Sequence, residues 1–150
     1  MTEREDQSPE TRPGDKWLEK NERELLELIW RVGRHQSDLV VIVEGRRDES
    51  ALRELGISGK MIRVHRGLSR LALIDEVVES VGPQGEVLIL TDFDDEGQEL
   101  CAFLEDELEH RRVHVNRALR RDFRRLMAHL CCIEQLVSIA KKRDSHVPVR

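Results

Sequence analysis

Hydrophobic positions in this chain fall into two kinds of run. In the first kind, apolar residues follow one another without a break: Leu39-Val40-Val41-Ile42-Val43 and Val87-Leu88-Ile89-Leu90. Unalternated β-branched and aliphatic runs of this length suit parallel strands buried on both faces. In the second kind, apolar residues recur every three or four positions among charged ones, as amphipathic helices require. From Lys16 to about Arg34 they stand at Leu18, Leu25, Leu28, Ile29 and Val32. From Gly67 to Ser80 they include Leu71, Ile74, Val77 and Val78, and from about Glu96 to His110 they are Leu100, Phe103, Leu104 and Leu108. A shorter helix is expected from Asp48 to Leu55, stopped by Gly56. Short strands are expected at Met61–Val64 and Val113–Val115, and further helices near Ala118–His129 and Ile133–Lys142. Gly82-Pro83-Gln84-Gly85 reads as a turn before a strand at Glu86–Thr91.

Strands alternating with helices imply crossover connections and a mainly parallel sheet. The expected fold is therefore α/β and Rossmann-like, with about four mostly parallel strands and helices on both faces. Residues 1–15 are polar, carry Pro9, Pro13 and Gly14, and read as a disordered tail. Residues 16–36 form an N-terminal helix, 37–116 the α/β domain, and 117–150 a C-terminal helical extension.

Composition narrows the core and the setting. Only 3% of residues are aromatic and none is Tyr, so the core must be aliphatic. The net charge of -5 gives no global basic field that would draw nucleic acid. Basic charge rests on 20 Arg against 5 Lys. Genome composition, ion-pair networks and phosphate contacts all produce such a bias. Cys101, Cys131 and Cys132 lack CxxC spacing and read as reduced core thiols of a cytoplasmic protein. Neither a signal peptide nor a run of about 18 apolar residues occurs, so no membrane association is expected.

Both continuous strands end in acid and then glycine: Val43-Glu44-Gly45 and Thr91-Asp92-Phe93-Asp94-Asp95-Glu96-Gly97. Open α/β sheets place their ligands at the carboxyl ends of strands. Clustered carboxylates repel one another, and a hard divalent cation removes that repulsion. If the two strands are neighbours, Glu44 meets Asp92 and Asp94 at one ion. Gly45 and Gly97 let the backbone turn and let a phosphate approach closely. The plainer reading makes Asp94 or Asp95 the N-cap of the following helix, and Asp48 that of the first.

The ordered pair Glu44-Gly45-Arg46-Arg47-Asp48 and Asp92-Phe93-Asp94-Asp95-Glu96-Gly97 resembles the two signature motifs of the Toprim domain. That domain occurs in bacterial-type primases, topoisomerases, recombination-repair proteins and a small-rRNA maturase ribonuclease. The likeness covers about Leu39 to Val115 and is strongest to the small stand-alone, primase-like Toprim proteins of archaea. The resemblance implies one or two Mg2+ ions, with Mn2+ able to substitute, and phosphodiester or nucleotidyl transfer on RNA or DNA. By position, Glu44 matches the catalytic or metal-binding glutamate. Asp92 and Asp94 match the metal-binding DxD, Gly45 and Gly97 the turn glycines, and Asp48 an accessory acid. A Tyr-less chain has no topoisomerase nucleophile, and the zinc and helicase-contact modules of a full primase are absent from this sequence. Action within a larger complex or as a homodimer is compatible with that.

Arginines surround the acids in sequence. Arg46 and Arg47 stand in the loop after the first strand and read as ligands for substrate phosphate. Arg117, Arg120, Arg121, Arg124 and Arg125 follow helical spacing and share one face. That face either binds phosphates or pairs with Glu105, Asp106, Glu107 and Glu109 as a solvated surface. His65 reads as a loop residue, and Trp17 and Trp30 as packing anchors. A haloacid-dehalogenase-type phosphatase and a receiver-like phosphoacceptor fit less well. The DxD here follows the third strand rather than the first, and no distal lysine follows the fourth. A non-catalytic RNA- or DNA-binding module that keeps the metal site is the remaining alternative.

Overall fold

A computed structural model describes residues 19–35, 38–127 and 133–144. The expectations for residues 1–15, Trp17, Cys131 and Cys132 lie outside those residues. The elements run α1 (Lys20–His35), β1 (Leu39–Val43), α2 (Arg46–Glu54), β2 (Lys60–Arg63), α3 (Arg70–Ser80), β3 (Glu86–Ile89), α4 (Asp95–His110) and α5 (Arg117–Leu126). A 3-10 turn, Ile133–Gln135, then leads into α6 (Leu136–Asp144).

The sheet has three strands in the order β2-β1-β3, and both pairings are parallel. Val41 stands beside Met61 on one side and Leu88 on the other. β1 and β3 are thus neighbours, as the acidic termini require. The expected fourth strand is reduced to a single parallel bridge between Val87 and Val115. Val87 donates to His114 O and accepts from Asn116 N. Asn116 then caps α5 by accepting from Leu119 N at 2.9 Å, so the chain turns into a helix before a ladder can extend.

Side chains alternate across the sheet and build two cores. On one face Leu39, Val41, Val43, Leu88 and Leu90 pack with α1, α2, α5 and α6 through Leu25, Ile29, Leu52, Phe123, Leu136 and Ile139. On the other, Val40, Ile42, Val87 and Ile89 pack with α3 and α4 through Ile74, Val77, Leu104 and Leu108. Cys101 belongs to this second core, and burial pushes its thiol up to about 12. It is a packed thiol without nucleophilic character at neutral pH. The N-terminal and C-terminal helices are therefore part of the first core and complete the third layer of an α/β/α fold. No described helix is long and apolar enough to cross a membrane.

Helix ends follow the local sequence. Gly56 takes φ +109 after α2, and Ile57 N donates to Leu52 O, a left-handed C-terminal stop as expected. α4 stops the same way without a glycine: Arg112 takes φ 63, and Val113 N donates to Leu108 O. Ser69 caps α3 through Ala72 N at 3.1 Å.

Candidate functional site

The strand order puts a topological switch between β1 and β3. The chain leaves β1 through α2 on one face and reaches β3 through α3 on the other. Crevices at such switch points are where open α/β sheets bind ligands. Glu44 and Asp92 flank this one, each just past the end of its strand.

Glu44 Oε2 accepts the Asp92 N–H at 2.8 Å, joining positions 48 residues apart. This bond fixes the Glu44 carboxylate against the backbone of the second acidic segment. Asp92 Oδ1 accepts the Ile133 N–H at 3.0 Å, so the 3-10 turn before α6 reaches the site. Asp94 is the N-cap of α4, its Oδ1 accepting from Gly97 N at 2.8 Å. Asp48 Oδ2 accepts from Gly45 N at 3.0 Å at the start of α2. The expected N-cap role is thus real for Asp94, whereas the N-cap of α2 is Gly45 and Asp48 stands two residues inside the helix start, each carboxylate held by backbone hydrogen bonds. They orient the carboxylates without neutralising them.

Asp92 feels the others. Its carboxyl is raised to about 6, first by burial and then by the negative charges of Glu44, Asp48 and Asp94, against the Ile133 hydrogen bond that lowers it. The charges of Glu44, Asp48 and Asp94 thus all reach Asp92. Among the described residues, no three or more His, Cys, Asp or Glu side chains form a metal-sized group. The residues fit a hard cation in donor type and in charge. The side chains do not stand in a finished coordination shell.

The backbone of Asp92 is held from several directions. Gly97 packs so tightly on it that a Cβ there would meet Asp92 O at 2.1 Å. Thr91, fully buried, donates from Oγ1 to Gly97 O at 2.8 Å. Arg120 donates from Nη1 to Ile89 O and Thr91 O, both at 3.0 Å, and from Nη2 to Asp92 O at 3.3 Å. Its guanidinium lies 4.6 Å from the centre of the Phe93 ring. Gly97 is therefore required for the close contact between α4 and the strand end. At Gly45 the backbone is extended and a Cβ would meet nothing within 4 Å, leaving open space at the start of α2.

The arginine face departs from the expected phosphate track. Arg120 does not extend one: it is 6% exposed, and burial pulls its guanidinium pKa down. Its hydrogen bonds go to three carbonyls instead. Arg117 pairs with Glu105 at 3.3 Å and with Glu109 at 2.6 Å, the solvated-face alternative. Arg125 stands 3.9 Å from Asp122. Arg121 and Arg124 are exposed and have no ion-pair partner among the described residues. The same holds for Arg46 and Arg47, at the first positions of α2. Of the seven arginines expected to grip phosphate, these four face solvent with no ion-pair partner among the described residues.

Two roles were missed by sequence reasoning. Arg120 lies at the edge of the Leu119–Phe123 arc of α5, and that phase was the available signal. Ile133 contributes only a backbone N–H, which no side-chain pattern announces. His65, read as a loop residue, stands on an exposed loop, with Nε2 3.6 Å from Glu44 Oε1.

No family model matches the chain. A solved structure, a putative protein from Aquifex aeolicus, superposes with a TM-score of 0.61 at 22% identity, covering 78% of this chain and 99% of that one. That likeness supports the α/β fold alone. A UPF0292 protein of Thermococcus onnurineus is 44% identical over 87 residues, which are 57% of this chain and 61% of that protein. A UPF0292 protein of Thermococcus gammatolerans is 41% identical, over 71% of this chain and 75% of the relative. One from Methanocaldococcus jannaschii is 34% identical, over 86% of this chain and 96% of the relative. With one relative matched over nearly its whole length and another over three quarters, the chain belongs to the UPF0292 family.

Proposed function

We propose that this protein is a Toprim-like, magnesium-dependent protein that carries out phosphodiester or nucleotidyl transfer on RNA or DNA. The observation that carries the reading is the Glu44–Asp92 pair. Two acidic strand ends, 48 residues apart, are joined by a direct hydrogen bond at the switch point of the sheet. Gathering Glu44, Asp48 and Asp94 around Asp92 carries an electrostatic cost beside their backbone hydrogen bonds, because each raises the cost of ionising Asp92.

Asp92, Asp94 and Glu44 are the residues that would hold one or two Mg2+ or Mn2+ ions. Such ions neutralise charge on a phosphate and lower the pKa of a water or hydroxyl. On this reading Glu44 would move a proton through Oε1, which lies 3.6 Å from His65 Nε2, while Oε2 accepts the Asp92 N–H. Arg46 and Arg47 point the reading to phosphate, being exposed at the N-terminus of α2 beside Gly45. The setting we propose is cytoplasmic, with action alone, as a homodimer or within a larger nucleic-acid-processing complex.

A second reading has one observation in its favour. Each of the four carboxylates already accepts a backbone N–H, which leaves fewer free oxygens than a two-ion transfer site uses. On that reading the protein binds RNA or DNA through metal without cutting or joining it. Incubation of end-labelled structured RNA and single-stranded DNA with Mg2+ separates the two. Catalysis predicts new products with the native protein and none with Glu44→Gln or EDTA. Retention of substrate on a filter without any product favours the binding module. Neither products nor retention refutes both.

A further inference from the structure

Beside the acidic crevice lies an open groove of about 570 Å³, lined by His65, Leu68, Arg70, Leu73, Leu100 and Phe103 among others. Three observations say what it accepts. First, it shares His65 with the acidic site: the His65 N–H donates to Glu44 O at 2.9 Å, and its Nε2 stands 3.6 Å from Glu44 Oε1. The His65 ring is therefore a wall that the groove shares with the Glu44 carboxylate. Second, the groove contains a flat surface, because the Arg70 guanidinium lies 4.6 Å from the centre of the Phe103 ring. Third, Leu68 and Leu71, 42% and 64% exposed, are the large hydrophobic side chains left in water among the described residues, and Leu68 lines the groove.

We propose that this groove seats the base and ribose of the nucleotide whose phosphate lies at the acidic crevice. The inference rests on the phosphoryl-transfer reading above and names where the substrate is gripped. A ligand spanning both regions needs an anionic end for a metal-bridged carboxylate site and a planar, largely apolar end for the Arg70–Phe103 surface. A nucleotide has both, and a groove of this volume falls in the range of small-ligand pockets. Among the described residues no acidic side chain lines the groove, so the base meets apolar and cationic groups. Aromatic and guanidinium faces stack any base, so affinity should depend weakly on base identity.

The test uses the full chain and 2-aminopurine riboside 5′-monophosphate with Mg2+, read by fluorescence quenching on stacking. The native protein should quench the probe, and adenosine, which lacks phosphate, should compete for the groove. Phe103→Leu, checked for native circular dichroism, should weaken probe binding by about tenfold, the effect of removing one base–aromatic stack. Arg70→Gln should weaken it in the same direction, and Leu68→Ser, at an exposed lining position, should leave folding intact and reduce affinity less. Unchanged binding in both Phe103→Leu and Arg70→Gln overturns the proposal. So does a result in which Leu68→Ser with Leu71→Ser changes the oligomeric state but not probe affinity, which would give the surface to another protein chain. The two readings fail separately. Turnover abolished in Glu44→Gln but indifferent to Phe103→Leu removes the groove alone. Adenosine binding that needs Phe103, without oligonucleotide turnover, removes the catalytic reading alone.

Discussion

Replacing Asp92 by Asn should make the metal-free protein more stable at neutral pH, although it alters a residue at the centre of the site. Asp92 is raised from 3.8 to about 6, by burial first and by Glu44, Asp48 and Asp94 next. In the unfolded chain the carboxyl ionises near its ordinary value. Between about pH 4 and 6 the native state therefore holds a proton that the unfolded state has released. Stability from this group then falls as pH rises through that window, and the full penalty stands above pH 6. Taken whole, the displacement is worth about 3 kcal/mol at ~1.4 kcal/mol per pH unit. Asp92 is partly exposed, and solvent screening reduces the figure to about 1 kcal/mol. Asn keeps Oδ1 for the Ile133 N–H, so the 3.0 Å contact survives the exchange. Urea unfolding in EDTA at pH 4, 5, 6, 7 and 8, followed by circular dichroism, reads the difference. The two proteins should coincide near pH 4 and separate by about 1 kcal/mol by pH 7, with the variant the more stable. An Asn variant that is equally or less stable at every pH would show that the acids do not strain one another. Crowding would then give no reason to expect a cation.

Gly97→Ala should destabilise the protein by about 2–3 kcal/mol despite the better helix propensity of Ala, because overpacking against a backbone has no cheap relief; its Cβ would meet Asp92 O at 2.1 Å. Chemical denaturation reads that cost directly. Arg120→Met should cost about 3 kcal/mol by leaving carbonyls unpaired, without changing the salt dependence of nucleic-acid binding. By contrast, Gln at Arg46, Arg47, Arg121 and Arg124 should leave thermal stability intact and flatten the log–log salt slope by about 0.7–0.9 for each phosphate no longer neutralised. Arg112→Gly should raise stability by about 0.5–1 kcal/mol in the same denaturation assay, since it removes a side chain from a left-handed position; the present φ is 63.

Much of the fold was legible because β1 and β3 are continuous aliphatic runs, a pattern that two-sided burial explains. Their adjacency was legible through chemistry: Glu44 and Asp92 made sense together only if the strands paired, and Ile42 does lie opposite Ile89. The fourth strand was overread. Val113 and Val115 have strand-like alternation, but Asn116 starts α5 at once and leaves one bridge. The arginine stripe misled for a related reason. Spacing of i, i+3 and i+4 groups residues by angle but does not say where the buried arc ends, and Arg120 falls on the core side of that edge. For Asp94, sequence could not separate capping from ligation, because an acid at a strand end before a helix satisfies both patterns. The Gly97 N–H bond settles the cap and leaves ligation to experiment. Ile133 was illegible in principle. What matters there is a backbone N–H delivered from 41 residues away by the packing of the C-terminal helices.

Everything proposed for the acidic crevice depends on its binding a divalent cation, and thermal unfolding with and without Mg2+ asks that directly. Binding to the folded state alone raises stability by about 2.7 kcal/mol at a hundredfold excess over Kd. That is a rise in Tm of several degrees for a chain of this size. The native protein should show such a rise at millimolar Mg2+, with NaCl of equal ionic strength as the control for screening. Asp92→Asn/Asp94→Asn should gain almost nothing. An Mg2+ response equal in the two proteins, or absent from both, would contradict the claim that these carboxylates form a metal site.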